Sequence, residues 1–344
     1  MFMSARSTPA LTDRLASIAR RVLDDRTAWR RELSLIGDAE HAQAERLRRD
    51  GELEMARYGW LRALYAYRAA AVLAAYDNDS DIRLRARMRT CSHELLLHSG
   101  LRREQAAISC FDEPPLEAEF VRSRAAAGRV PAIICISEES ESKDELLSRV
   151  WTDVEGRQLS LLLVELKSIL QAQRLRPANS GVPVEALLSS CTDYLVARSD
   201  VDEKRIGVYG RNLASTYATR LAAGDDRIAA SVCDGGLWEY ARTVMHLNAA
   251  GNSSEAPGQA RNSGLRSRFA RRITGPFLVV AGDEGICSLS EASALYDECR
   301  ELSIKMTLKL SQTDRTPLGD FEDCAGITDY VFGWLARKLA IANE

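Results

Sequence analysis

The segment Arg205-Ile206-Gly207-Val208-Tyr209-Gly210-Arg211-Asn212-Leu213-Ala214-Ser215 constrains the fold of this chain more than any other stretch. A short apolar strand ends at a glycine, a tight turn follows, and the residues up to Gly224 form a helix rich in Ala and Leu that leaves room for close packing. This is the layout of a nucleophile elbow, a strained strand-to-helix turn that lifts the middle residue of G-x-S-x-G above the edge of a sheet. Here the middle residue is Asn212. The scaffold for a nucleophile is present and the nucleophile is not.

The surrounding pattern falls into two parts. From Leu11 to Gly100 there is no proline, and apolar residues recur at helical spacing, first Leu11, Leu15, Ile18 and Val22, later Leu53, Ala56, Trp60, Leu64, Tyr67 and Ala71. Gly37-Asp38, Asp50-Gly51 and Asp77-Asn78-Asp79-Ser80 punctuate this run, so the spacing predicts about four helices with Trp60, Tyr65 and Tyr67 in their core. No strand signal precedes Ala107. From there Ala107 to Phe111 and Leu116 to Arg122 alternate as half-exposed strands. Ala132 to Ile136 and Leu159 to Leu166 read as fully buried ones. Further strands are expected at Ile228–Cys233, Pro276–Ala281 and Met306–Leu310, with helices at Leu289–Leu302 and Thr328–Ile341 between and after them. Alternation of this kind implies an α/β fold, a mostly parallel sheet with helices on both faces. The expected domains are a helical one over residues 1–106 and an α/β core over 107–344. Residues 237–273, without strand signals and rich in Gly, Ser, Asn and Ala toward their middle, read as an inserted lid.

Composition excludes several partners. A net charge of -3, with arginines interleaved among acids, implies no nucleic acid and no anionic membrane surface. The apolar runs are far shorter than the roughly 20 residues that cross a bilayer. Eight cysteines are scattered without C-x-x-C spacing, so neither a zinc site, a redox pair nor any other cofactor is expected. Met1-Phe2-Met3-Ser4-Ala5-Arg6 lacks the apolar core of a signal peptide, and the expected location is cytoplasmic.

Asp193-Tyr194-Leu195, Arg198, Val201-Asp202, Arg205 to Val208, Gly210-Arg211, Tyr217-Ala218 and the run from Ala222 to Gly236 resemble, without gaps, the α/β-hydrolase fold. More narrowly, they resemble the family of 2,6-dihydroxypseudooxynicotine hydrolase and the FrsA-like proteins. The helical front end, with Trp29, Gly51, Ala56, Tyr58 and Leu61-Arg62-Ala63, is similar to that family's N-terminal domain, which implies a homodimer. In the family a serine stands at the place of Asn212. Its triad acid comes as H-G-x-x-D, matched here by Ala281-Gly282-Asp283-Glu284-Gly285. Its triad histidine follows a Gly-Asp pair, matched by Gly319-Asp320-Phe321, and no histidine follows His246. The resemblance therefore implies that all three triad positions are replaced. The oxyanion loop reads Glu138-Glu139-Ser140-Glu141-Ser142-Lys143-Asp144-Glu145, and carboxylates around its backbone donors suit an anion poorly. The family's D-x-P-G-x-G turn becomes Glu165-Leu166-Lys167-Ser168.

The catalytic candidates are Asn212, His246, Asp234 and Asp283, and the binding candidates are Glu138, Glu139, Arg211, Leu213, Trp238 and Phe321. Asn212 either serves a ligand through its amide or simply tolerates the turn. His246 is a general acid or base on a cap helix with Trp238, or a surface residue. Asp234 ends a strand, where parallel sheets meet ligands, or caps a turn. Glu138 and Glu139 are a carboxylate pair or a solvated loop. Asp283, Glu284, Asp320, Glu322 and Asp323 occupy the loops where acid and base would lie, and Ser215 and Cys324 are displaced-nucleophile candidates without a histidine. The pocket is expected between the elbow, the segment after Asp234 and the helical domain. The expected function is a non-hydrolytic enzyme, a lyase, cyclase or carbon-carbon cleaving enzyme using acid/base chemistry on a small acyl or polyketide-like metabolite of secondary metabolism. The alternative is an inactive pseudohydrolase that binds a ligand or a regulatory protein.

Overall fold

Apolar runs too short for helices pair side by side, and in this chain they assemble one eight-stranded sheet. The structure, a computed structural model, describes residues 26–72, 78–110, 113–123, 128–139, 141–154, 157–175, 184–235, 270–282, 289–311 and 317–340. The strands are β1 (Arg102–Cys110), β2 (Glu113–Arg122), β3 (Val130–Ile136), β4 (Ser160–Val164), β5 (Val201–Arg211), β6 (Ile228–Asp234), β7 (Phe277–Ala281) and β8 (Met306–Leu310). Their spatial order is β1-β2-β4-β3-β5-β6-β7-β8. The β1–β2 hairpin and the β2–β4 pair are antiparallel, and every pair from β4–β3 to β7–β8 is parallel. Every residue of β3, β4 and β7 is buried, as expected of strands covered on both faces.

Two units separate by their contacts, one of them drawn from the chain up to Leu101 together with Asp144–Thr152 and Thr313–Gly326. In it, α1 (Arg26–Arg49), α2 (Leu53–Val72) and α3 (Asn78–Leu97) pack around Trp29, Leu33, Leu64 and Tyr67. A second cluster holds Ala44, Trp60, Leu95 and Trp151, the last from α4 (Lys143–Val154). Trp60 and Tyr67 are buried as their spacing predicts, and Tyr65 is partly buried. Gly37-Asp38 does not break the run. Helix α1 passes through it, because Gly37 leaves space for the Tyr67 ring and Asp38 Oδ1 accepts the Tyr67 hydroxyl at 2.7 Å. At Gly51, by contrast, φ is 84° and the chain turns. The Leu11–Val22 stripe lies outside the described residues.

The other unit contains the sheet, with α5 (Leu166–Leu175), α6 (Val184–Val196), α7 (Leu213–Gly224), α8 (Leu289–Glu301) and the part of α9 (Pro317–Ala340) from Ile327 onward. Leu187, Leu188 and Cys191 of α6 and Tyr217, Ala218 and Leu221 of α7 join the main core with Ile134, Val208 and Phe277. On α9, the Phe332 ring lies 5.3 Å from that of Tyr209, tilted by 51°, and a Cβ on Gly207 would lie 3.3 Å from Leu339.

Several expected boundaries move, and the strand expected at Leu159–Leu166 is Ser160–Val164, with Leu166 opening α5. The sheet starts at Arg102 rather than Ala107, because Arg102 to Gln105 pair with Glu119 to Arg122, with Arg103 met by Glu119 across the hairpin and Glu104 by Arg198. The last helix starts at Pro317 rather than Thr328, which places Gly319, Asp320, Phe321, Glu322, Asp323 and Cys324 in a helix and not in a loop. Proline at a first helical position fits, since its missing N–H has no partner there. The strand at Ile228–Cys233 extends by one residue, to Asp234. No helix among the described residues is long and apolar enough to cross a membrane.

Candidate active site at the strand-to-helix turn

The elbow is set by backbone packing before any side chain acts. Gly210 ends the tight part of β5 because a Cβ there would lie 2.3 Å from the Ala214 carbonyl oxygen, so only glycine lets α7 begin this close. Asn212 then takes φ 50° and ψ -123°, a positive-φ conformation outside the left-handed helical well that strains any residue with a Cβ. The turn is held from both sides. Asn212 N–H donates to the Asp234 carbonyl at 2.7 Å, and the Asn212 carbonyl accepts Ser215 N–H at 3.0 Å and the Ser215 hydroxyl at 2.6 Å. Gly235, at φ 111°, lies so close that its Cβ would be 3.3 Å from Asn212 Cα. Its N–H donates to Val280 at 2.9 Å.

Strand pairing brings charge to this point. Arg211 is the register partner of Asp234 across β5 and β6. Tyr209 lies two residues before Arg211 on the same strand, hence on the same face. The Tyr209 hydroxyl donates to Asp234 Oδ2 at 3.4 Å, and Arg211 Nε lies 3.8 Å from the same oxygen. From the loop after β3, Glu138 reaches the elbow tip. Asn212 Nδ2 donates to Glu138 Oε2 at 3.0 Å, and Arg211 Nε is 3.6 Å from Glu138 Oε1. A carboxylate only accepts, so the amide edge facing Glu138 is its NH2.

The loop carrying Glu138 is closed by its own residues. Buried Ser137 donates its hydroxyl to the Glu141 carbonyl at 2.8 Å and accepts Leu166 N–H at 3.3 Å. Glu141 N–H donates to the Glu138 carbonyl at 3.1 Å, and Glu138 N–H donates to Glu141 Oε2 at 3.3 Å. In hydrolases with an elbow, one oxyanion donor is an N–H of this loop and the other is the N–H of the residue after the nucleophile. Here Glu141 takes the donor of Glu138. Glu165, in the lost D-x-P-G-x-G turn, accepts Lys143 N–H at 3.1 Å at the start of α4 and pairs with Lys167 at 2.9 Å.

Asn212, Arg211, Asp234 and Glu138 thus meet at one place. Glu139 does not join them, because it is exposed, and Glu138 finds its partners in Asn212 and Arg211 instead. Leu213 is half-buried and packs on the main core. Ser215 is fully buried with its hydroxyl spent on the turn, which gives a capping role and no open nucleophile. Cys233, near the elbow, is buried, and burial pushes its thiol up to about 12. His246, Trp238 and Asp283, and with them Glu284 and residues 237–269 of the lid expected at 237–273, lie outside the described residues, as does the side chain of Phe321. Sequence reasoning missed the roles of Tyr209, Ser137 and Glu141. Tyr209 was findable from its two-residue spacing to Arg211, whereas nothing local marks Glu141 as the acceptor for Glu138 N–H. Among the described residues no group of three or more His, Cys, Asp or Glu is placed to hold a metal ion.

Chemically, the arrangement offers an amide donor and two carboxylates sharing one guanidinium, at the carboxyl ends of parallel strands. No protein-family model matches the chain, and no curated protein sequence matches it. Solved structures do match. The crystal structure of 2,6-dihydroxy-pseudo-oxynicotine hydrolase aligns with a TM-score of 0.58 at 17% identity, covering 90% of this chain and 88% of that one. The fluorophosphonate-binding serine hydrolase FphF of Staphylococcus aureus aligns with a TM-score of 0.51 at 10% identity, covering 69% of this chain and 98% of that one. A puromycin-hydrolysing peptidase of Mycobacterium tuberculosis aligns with a TM-score of 0.51 at 12% identity, covering 70% of this chain and 40% of its own.

Proposed function

On the α/β-hydrolase fold that this chain shares with those structures, we propose a non-hydrolytic enzyme that uses Glu138 as general base and Asn212 as carbonyl donor. The observation that carries this reading is the 3.0 Å hydrogen bond between Asn212 Nδ2 and Glu138 Oε2 at the elbow tip, where a serine nucleophile would stand. An amide is no nucleophile for a histidine to activate. A carboxylate held by an amide and a guanidinium is a base in position. Glu138 takes a proton from an acidic C–H or O–H of a small acyl or polyketide-like compound. The released electron pair forms an enolate or expels a leaving group, and the proton returns from Glu138 to the product. The second Nδ2–H of Asn212 is directed at the substrate carbonyl, and Asp234 with Tyr209 keeps Arg211 in place. His246 and Asp283 remain candidates for a second acid. Six buried free thiols support a cytoplasmic setting. The sequence likeness of the helical region supports a homodimer, and secondary metabolism is the setting that fits such chemistry.

A panel of β-ketoacyl, hydroxyaryl ketone and ester compounds, read by product mass, tests this. Isomerised, cyclised or eliminated products are expected from the wild type and not from Glu138→Gln. Asn212→Ser creates no esterase, since its histidine and acid are also replaced. Labelling of the wild type by a fluorophosphonate, or strong ester hydrolysis by Asn212→Ser, sinks the reading. The alternative, a pseudohydrolase that only binds a ligand or protein, is favoured by Glu141 occupying the loop donor. It predicts ligand binding without turnover of any panel member.

A further inference from the structure

The proposed chemistry leaves open which ligands this elbow admits, and the hydrogen bonds already made there bear on that. An acyl-transfer elbow binds anions because backbone donors point into an empty corner. Here that corner is furnished from within. Glu138 N–H donates to Glu141 Oε2, and the Ser137 hydroxyl fixes the Glu141 carbonyl, so the loop donor and its acceptor belong to one closed turn. The elbow amide is turned toward Glu138 Oε2. Among the described residues, the carboxylates of Glu138, Glu141 and Asp234 stand around the elbow, with the Arg211 guanidinium within 4 Å of Glu138 and Asp234. Carboxylate oxygens can only accept hydrogen bonds. A ligand oxyanion entering here meets like charge, while a hydroxyl or ammonium meets ready acceptors.

We propose that Glu138 and Glu141 are specificity-determining residues that make the elbow select ligands donating hydrogen bonds, an alcohol, phenol or amine, and reject carboxylates. This rests on the reading that ligands sit at the elbow. It also deepens that reading, since a substrate O–H or N–H resting on Glu138 is presented to the proposed base.

The test is calorimetric titration of the full chain with three size-matched probes, benzylammonium, benzyl alcohol and benzoate. The wild type should bind benzylammonium at least about tenfold more tightly than benzoate, with the alcohol between. Glu138→Gln should reduce the ammonium-to-benzoate ratio by about tenfold, and Glu141→Leu, which removes both the carboxylate and the acceptor, should raise benzoate affinity by freeing Glu138 N–H. Asp226→Asn, an equal charge change at an exposed residue beyond the far end of α7, is the control and should keep the ratio within about twofold. Equal binding of benzoate and benzylammonium, binding of none of the three, an unchanged ratio in Glu138→Gln, or the same change in Asp226→Asn overturns the proposal. Circular dichroism of each variant confirms that it is folded. Labelling by a fluorophosphonate ends the acid/base reading and leaves the binding ratios as they are, so the two failures are told apart.

Discussion

Arginine meets carboxylate both at the β1–β2 hairpin and at the elbow, and the two meetings differ. On the hairpin, Glu119 is 1% exposed and receives both Nε and Nη2 of Arg103, the latter at 2.9 Å. That fork-to-fork pairing commits both oxygens of the buried carboxylate to one guanidinium. At the elbow, Arg211 Nε stands 3.6 Å from Glu138 and 3.8 Å from Asp234, ionic separations too long for hydrogen bonds. The backbone shows the reverse. The elbow is tightly determined by Gly210, Asn212 and Gly235, whereas the hairpin ladder shifts register between Ile108 and Cys110. Rigid main chain under loosely committed charge is what a site needs, and committed charge on a more tolerant backbone is what an edge needs.

The largest expected effect concerns the rigid half of that contrast. Gly210→Ala should cost about 3 kcal/mol or more in equilibrium denaturation, since the new Cβ would fall 2.3 Å from the Ala214 oxygen, a backbone atom. A loss near zero would show that the elbow is no tighter than an ordinary turn. Next, Arg103→Met should cost about 3 kcal/mol by stranding the buried Glu119 charge. Arg211→Met should cost less, about 1 kcal/mol, because Glu138 is partly open to water and Arg211 Nε stands beyond hydrogen-bond distance of both carboxylates. Equal losses for the two arginines would break the comparison.

A smaller effect, opposite in sign, is expected at the elbow tip. Asn212→Gly relieves a positive φ and should raise stability by about 0.5–1 kcal/mol after the extra chain entropy of glycine is counted. The same variant loses the donor to Glu138 and should lose turnover of any substrate found. The smallest effect is on acid unfolding. Beside the hairpin, hydrogen bonds from Arg198 at 2.8 and 3.0 Å hold the Asp200 carboxyl below its usual range. Its contribution is present above the ordinary value of about 3.9 and is lost as pH falls through the lowered native value. Arg198→Met should therefore move the acid midpoint upward in a fluorescence titration. An unmoved midpoint would mean that committed pairs of this kind add nothing to acid stability.

Much of this was legible in the residues. The buried runs at Ala132–Ile136 and Ile206–Gly210 mark parallel strands because nothing polar interrupts them, and Gly210-Arg211-Asn212 marks the turn because glycine and asparagine tolerate it. Arg102 to Gln105 gave no strand signal, since the charges of Arg103 and Glu104 are met by Glu119 and Arg198, far along the chain. Gly37 looked like a break, because the ring that fills its space comes from Tyr67. Glu138 was named as a site residue, but the neighbour expected for it, Glu139, is exposed, and its partner is Asn212, seventy-four positions away.

By itself the sequence determined the α/β class, most of the order of strands and helices, and an asparagine at the tip of the strand-to-helix turn, because periodicity and turn chemistry are local properties. Only the tertiary structure decided what that asparagine faces. Strand register sets Arg211 beside Asp234, and the closed loop after β3 delivers Glu138 to the elbow and withholds its N–H. Such contacts depend on where separate strands end in space, which no single stretch of chain encodes.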